Sequence, residues 1–236
     1  MNRMNLGRHL HRLFVLIACL LLAATACAGA LDALTNKDAG GGLKEALTQG
    51  AGKAVDLLGR PDGFMSNAKV KIPLPESLHK AEGLMRGLGM GQQADELVLA
   101  MNRAAEAAVP QAKTLLVGAV KKMSIEDAKG ILSGPDNAAT EYFRRETSAP
   151  LAEKFLPVVK KAVAKVKLAG TYNKFAGKAA KLGLVREGDG ELENYVTQRT
   201  LDGLYSMIAE EEKAIRANPL EAGSKLAQKV FGALKL

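Results

Sequence analysis

The chain has 236 residues, 33 of them basic and 25 acidic, for a formal net charge of +8, with aromatic residues at 4% and no tryptophan. Two cysteines and three histidines are too few for a disulfide-dense scaffold or an array of zinc modules, so the fold must stand on a hydrophobic core.

Residues 1–30 read as a cleavable signal peptide. Arg3, Arg8 and Arg12 flank an uncharged apolar run from Leu13 to Ala26. That run is too short for a transmembrane helix, which needs roughly 20 apolar residues. Two cleavage readings compete. Ala28-Gly29-Ala30 is a small-x-small site that releases a chain starting at Leu31. Ala24-Thr25-Ala26-Cys27 resembles a lipoprotein box with Cys27 acylated, although Leu, Val or Ile is usual where Ala24 stands. Cleavage after Ala30 leaves 30 basic and 25 acidic residues, a net charge of +5, and no cysteine. The predicted location is the periplasm, with attachment to the membrane through Cys27 as the alternative. No later stretch is apolar for long enough to span a membrane.

Residues 31–236 are predicted to form one all-α domain, a compact multi-helix bundle, because apolar residues recur at spacings of three and four nearly everywhere after Leu43. The first helix is expected over Leu43–Leu58, with Gly59 after it and a turn at Pro61-Asp62-Gly63. Val70 to Pro75 alternates with period two, but its two prolines make it an extended connector or a short edge strand. A second helix fits Pro75–Leu88. An Ala-rich helix runs from Gly91 to Ala108, is broken or kinked at Pro110 and resumes to about Met123. Ser124-Ile125-Glu126-Asp127 loosely matches a capping box and starts a short helix to Leu132.

Ser133-Gly134-Pro135-Asp136-Asn137 is the strongest turn signal, and Asp136 is the expected cap of the helix carrying Tyr142 and Phe143. Thr147-Ser148-Ala149-Pro150 is expected to close that helix and cap the next, which continues to about Val166. Further helices are predicted from Tyr172 to Leu182 and along a long face from Leu192 to Ile215. A C-terminal amphipathic piece carries Leu220, Leu226, Val230, Phe231 and Leu234. No period of 20 to 50 residues repeats, so a solenoid is not expected.

Several stretches together resemble one family: the run from Leu43 to Ala51, Met101-Asn102-Arg103-Ala104-Ala105-Glu106, the run from Asp127 to Gly134, Tyr195-Val196-Thr197, Leu201-Asp202-Gly203-Leu204 and Glu210-Glu211-Glu212. In these the chain is similar to the bacterial family known as domain of unknown function 4197, over about Leu31 to Leu236. The resemblance implies an exported, helical, single-domain protein of Gram-negative bacteria. It also favours cleavage after Ala30, and it carries no catalytic or binding residues.

With His9 and His11 in the signal segment, His79 is the one remaining histidine, so a Ser-His-acid triad would rest on it alone. Glu76-Ser77 and Gly83-Leu84-Met85 are similar to fragments of the helical lytic transglycosylases, but they lie too close together and Arg86 replaces the expected glutamine. Asn102, Arg103 and Glu106 interrupt an Ala-rich helix. They are read either as a polar network holding helices in register or as an anion pocket in which Arg144 or Arg145 joins Arg103. Arg103 is expected to be mostly buried against a carboxylate. Asp136, Glu141 and Glu146 are candidate carboxylates for an acid/base pair.

From Lys154 to Arg186 nine basic residues occur without one acidic residue: Lys154, Lys160, Lys161, Lys165, Lys167, Lys174, Lys178, Lys181 and Arg186. Such a segment suits an anionic partner. Aromatic residues are not interleaved as single-stranded nucleic acid binding requires, and nucleic acid does not fit the expected compartment, so a membrane surface or an acidic protein is the expected partner. The competing reading is a solvated face, or neutralisation by the acid-rich stretch from Glu191 to Glu212. The sequence is thus read as a non-enzymatic envelope protein with a basic face and with no metal or cofactor. The alternatives are a carboxylate-dependent cell-wall hydrolase and a carrier of a small apolar ligand.

Overall fold

The computed structural model describes residues 36–76, 82–83, 86–89, 91–167, 169–170, 172–173, 191–218 and 228. The predicted signal segment with Cys27, and likewise His79, Lys174, Lys178, Lys181, Arg186 and nearly all of the C-terminal stretch predicted to be amphipathic, lie outside them.

The described residues are all-α, with no strand among them. The bounded helices are α1 (Asn36–Leu58), α2 (Gly91–Ala108), α3 (Ala112–Lys122), α4 (Ile125–Ser133), α5 (Ala138–Val163) and α6 (Leu192–Ala217), with a 3-10 turn at Val109–Gln111 between α2 and α3. Helix α5 lies at the centre, packed on α6, α2, α3 and α4, while α1 packs on α6, α3 and α4.

Leu43, Ala46, Leu47, Ala51, Ala54, Val55 and Leu58 repeat at three and four residues, and all are buried, so α1 turns one continuous stripe inward. Its start lies upstream of the predicted Leu43, the helix continuing through Gly40, Gly41 and Gly42. Glycine disfavours a helix interior, but Gly42 is buried, and tertiary packing overrides the propensity. The predicted break at Pro110 appears as the 3-10 turn, with Pro110 in its first positions. The capping box at Ser124 forms. The Ser124 hydroxyl accepts from the Asp127 N–H at 3.0 Å, and the Asp127 carboxylate accepts from the Ser124 N–H at 3.2 Å.

Two expectations are corrected. Helix α5 is one continuous helix through Pro150 and Pro157 rather than two helices meeting at Thr147–Pro150. Leu151, Phe155, Val159 and Val163 form its buried stripe, and at 100° per residue Pro157 falls opposite it and is exposed, while Pro150 is half-buried at its flank. The carbonyl freed by Pro157 therefore lies on the solvent side. The Thr147 and Ser148 hydroxyls meanwhile bond back to the Phe143 and Arg144 carbonyls at 2.6 and 2.5 Å. Second, Asp136 does not cap α5. The N-cap position is Asn137, without a side-chain cap bond, and the cap comes from α6.

Candidate functional site

Asn102, Arg103 and Glu106 all stand on α2, but what they hold is the connector that follows α1. The turn Pro61-Asp62-Gly63 places Asp62 at φ +66°, a left-handed conformation that Asp tolerates. Gly63 is packed so tightly on the end of α1 that a Cβ there would lie 2.5 Å from the Leu58 carbonyl oxygen. Downstream, Val70, Ile72 and Leu74 turn inward while Lys71 and Pro73 turn outward, so the segment is extended and unpaired by any strand.

A buried extended segment needs partners for its backbone. Asn102, fully buried, supplies them: its Oδ1 accepts from the Ile72 N–H and its Nδ2 donates to the Ile72 carbonyl, both at 2.9 Å. Glu106, 5% exposed, accepts from the Phe64 and Met65 N–H groups at 3.1 Å through Oε1. Its Oε2 accepts from Arg103 at 2.6 Å.

The Arg103 guanidinium also donates to Asp62 at 2.8 Å, and these two carboxylates, Glu106 first, hold its pKa above the ordinary value. The side chain remains 42% exposed, so the expectation that Arg103 is mostly buried is corrected, while the expected carboxylate partner is present. It is long enough to reach two carboxylates from the rim of α2 without entering the core.

Arg144 and Arg145 do not join Arg103. Arg144 stacks over the buried Tyr205 ring at 4.7 Å and approaches Asp202 and Glu141. Arg145 pairs with Glu146 and Asp127, both at 2.9 Å, and those carboxylates raise its pKa. Asp136, Glu141 and Glu146 are exposed residues, and both oxygens of Glu106 are taken up by the connector and Arg103. Among the described residues no group of three or more His, Cys, Asp or Glu side chains is placed to hold a metal ion, and no helix is long and apolar enough to cross a membrane.

In the sequence Glu212 stands out only within the acid-rich stretch and the Glu210-Glu211-Glu212 run, with no role of its own. It is buried, and its carboxylate accepts from the Ala139 N–H at 3.0 Å and from the Thr140 N–H and hydroxyl at 2.9 and 2.8 Å. It thereby caps α5, where a negative charge also meets the positive end of the helix dipole. Arg216 donates to Glu212 at 3.0 Å and to the Ile131 carbonyl at 2.9 Å, which ties the end of α4 to the same point.

From Glu193 onward the other carboxylates of that stretch have partners of their own. Glu193 accepts from Asn173, Asp202 approaches Arg144 and Arg199, Glu210 pairs with Lys69 and Glu211 with Lys53. None of these partners is a lysine of the basic segment.

Lys154, Lys160, Lys161, Lys165 and Lys167 are all exposed. Lys154, Lys160, Lys161 and Lys165 make no ion pair among the described residues. By helical periodicity Lys154 and Lys161 share one face of α5 and Lys160 lies to one side of it, while Lys165 stands in the turn just after the helix. Lys160 and Lys161 stand in the last turn, where a cation complements the helix dipole.

Next to them an open groove of about 770 Å³ runs between α2 and the end of α5. Its walls include Leu99, Ala100, Arg103, Ala162, Lys165 and Val166. Arg103 and Lys165, far apart in sequence, thus line one groove. Arg144 lies 18 residues before Ala162 on α5, about 27 Å along the helix axis.

The stretches that carried the resemblance map onto these architectural contacts: Asn102 and Glu106 on the connector, Tyr195 donating to the Pro73 carbonyl at 3.1 Å, Glu212 on α5, and Gly203 against the Phe64 ring. No curated protein and no solved structure matches the chain. A family model does match, over residues 33–232, and the chain belongs to the family described as Protein of unknown function (DUF4197).

Proposed function

We propose that this is a non-enzymatic binding protein of the bacterial envelope, periplasmic after removal of residues 1–30, whose basic face at the end of α5 meets an anionic membrane surface. The observation that carries the reading is the contrast between the two charged stretches. The carboxylates from Glu193 to Glu212 are committed to Lys53, Lys69, Asn173, Arg144, Arg199 and Arg216. Lys154, Lys160, Lys161 and Lys165 stay exposed without an ion pair among the described residues. Among the described residues internal complementarity therefore does not account for these four lysines, and exposed like charges favour an anionic partner.

The test is co-sedimentation of the mature chain with vesicles of neutral lipid and of neutral lipid mixed with anionic lipid, over a range of salt. Binding is expected only to the anionic vesicles and to weaken steeply with salt, because exposed charges are screened beyond about 8 Å at physiological ionic strength. Each lysine near such a surface contributes about 1 kcal/mol, so changing all four to Gln should weaken binding by about three powers of ten. Equal binding to both kinds of vesicle, or unchanged binding by the fourfold variant, overturns the reading.

A further inference from the structure

The groove beside the basic face has a chemistry that a flat electrostatic contact does not need. Its α2 wall is built from Gln92, Glu96, Leu99, Ala100 and Arg103, which recur at three and four residues and so form one stripe, about 16 Å long. Leu99 is 42% exposed, one of three large hydrophobic residues open to solvent among the described residues. Ala100, Ala162 and Val166 continue the apolar lining across to the end of α5, and Lys165 and Lys167 line the groove beside them, Lys165 without an ion pair among the described residues. At about 770 Å³ the groove falls within the range of small-molecule sites. An apolar floor beside an unneutralised cation matches a ligand that is itself divided into an apolar chain and an anionic head.

We propose that this groove seats one anionic amphiphile, a phosphate-bearing lipid of the membrane surface, with its acyl chain over Leu99, Ala100, Ala162 and Val166 and its headgroup at Lys165. The proposal rests on the membrane-surface reading and deepens it, from attraction to a charged surface to capture of a single lipid. Arg103 is half-exposed at the groove wall but already held by Glu106 and Asp62. It therefore fixes the wall rather than the headgroup. Glu96 on the same wall accepts from Gln92 at 3.1 Å and sets a negative charge away from which an anionic head will turn.

The test uses the mature chain and two soluble probes with the same chain, dodecyl phosphate and dodecyl maltoside, each titrated calorimetrically below its micelle-forming concentration. Dodecyl phosphate is expected to bind saturably at one site and at least tenfold more tightly than the maltoside. Leu99→Asp, a change at an exposed position, and Lys165→Gln should each weaken it tenfold or more. Lys154→Gln and Lys160→Gln, which lie outside the groove, should leave it unchanged while weakening vesicle binding.

Equal affinity for the two probes, or indifference to Leu99→Asp, overturns the groove site even if anionic vesicles still bind. In that case the surface reading stands alone. Saturable phosphate-selective binding that depends on Leu99 and Lys165 supports the groove even if vesicles do not bind, and then the surface reading falls instead.

Discussion

Glu212 shows how far a single side chain can act from its own helix. It satisfies two N–H groups and a hydroxyl of α5 and the guanidinium of Arg216, whose side chain is only 14% exposed. Removing it leaves a nearly buried cation and unpaired donors, a situation that costs about 3–5 kcal/mol. Glu212→Ala should therefore lower the urea midpoint sharply, whereas Glu210→Ala, which removes an exposed pair with Lys69, should leave the midpoint where it was. An equal response of the two variants would remove the capping role. Asn102, Arg103 and Glu106 were legible as polar residues needing partners on an alanine-rich helix. Their partners were not, because Ile72 and Phe64 lie 30 and 42 residues away in a segment without regular structure. Glu212 did leave a trace. It continues the Leu201, Leu204, Tyr205, Ile208 stripe of α6 by one more step of four, so a carboxylate was standing at a core position.

At the scale of helices, the periodicity of apolar residues was enough to place α2, α6 and the body of α1, because each buries a regular stripe, while the capping box at Ser124 marked the start of α4. Helix α5 was misread as two because Pro150 looks like a stop when only local sequence is weighed. What decides is the side on which the proline falls. Pro157 is exposed, opposite Leu151, Phe155, Val159 and Val163, and its lack of an N–H frees a carbonyl toward solvent rather than into the core. It still costs a helix hydrogen bond. Pro157→Ala should therefore stabilise the protein by about 1–2 kcal/mol, less than the full helix-interior penalty of about 3 because the unfolded chain regains freedom as well. A lower urea midpoint for this variant would mean that the ring itself is an essential contact.

At the scale of the molecule, α6 is the element that closes the fold. It packs on α5 and α1 and, through Glu212 and Arg216, binds the junction of α4 and α5. A chain ended after Gly190 should lack helical structure in circular dichroism, since α1 and α5 would each lose a principal partner. Retention of most of the helix signal would show that the first five helices stand alone. The late position of α6 also sets a clock. At roughly 5–20 residues per second of synthesis, on the order of ten to thirty seconds separate the appearance of Leu43 from that of Glu212. During that interval α1 and α5 are without this partner. In the periplasmic location proposed above the chain would cross a translocation channel without tertiary structure, and the order of the helices supplies a wait of that kind: the keystone is synthesised near the end.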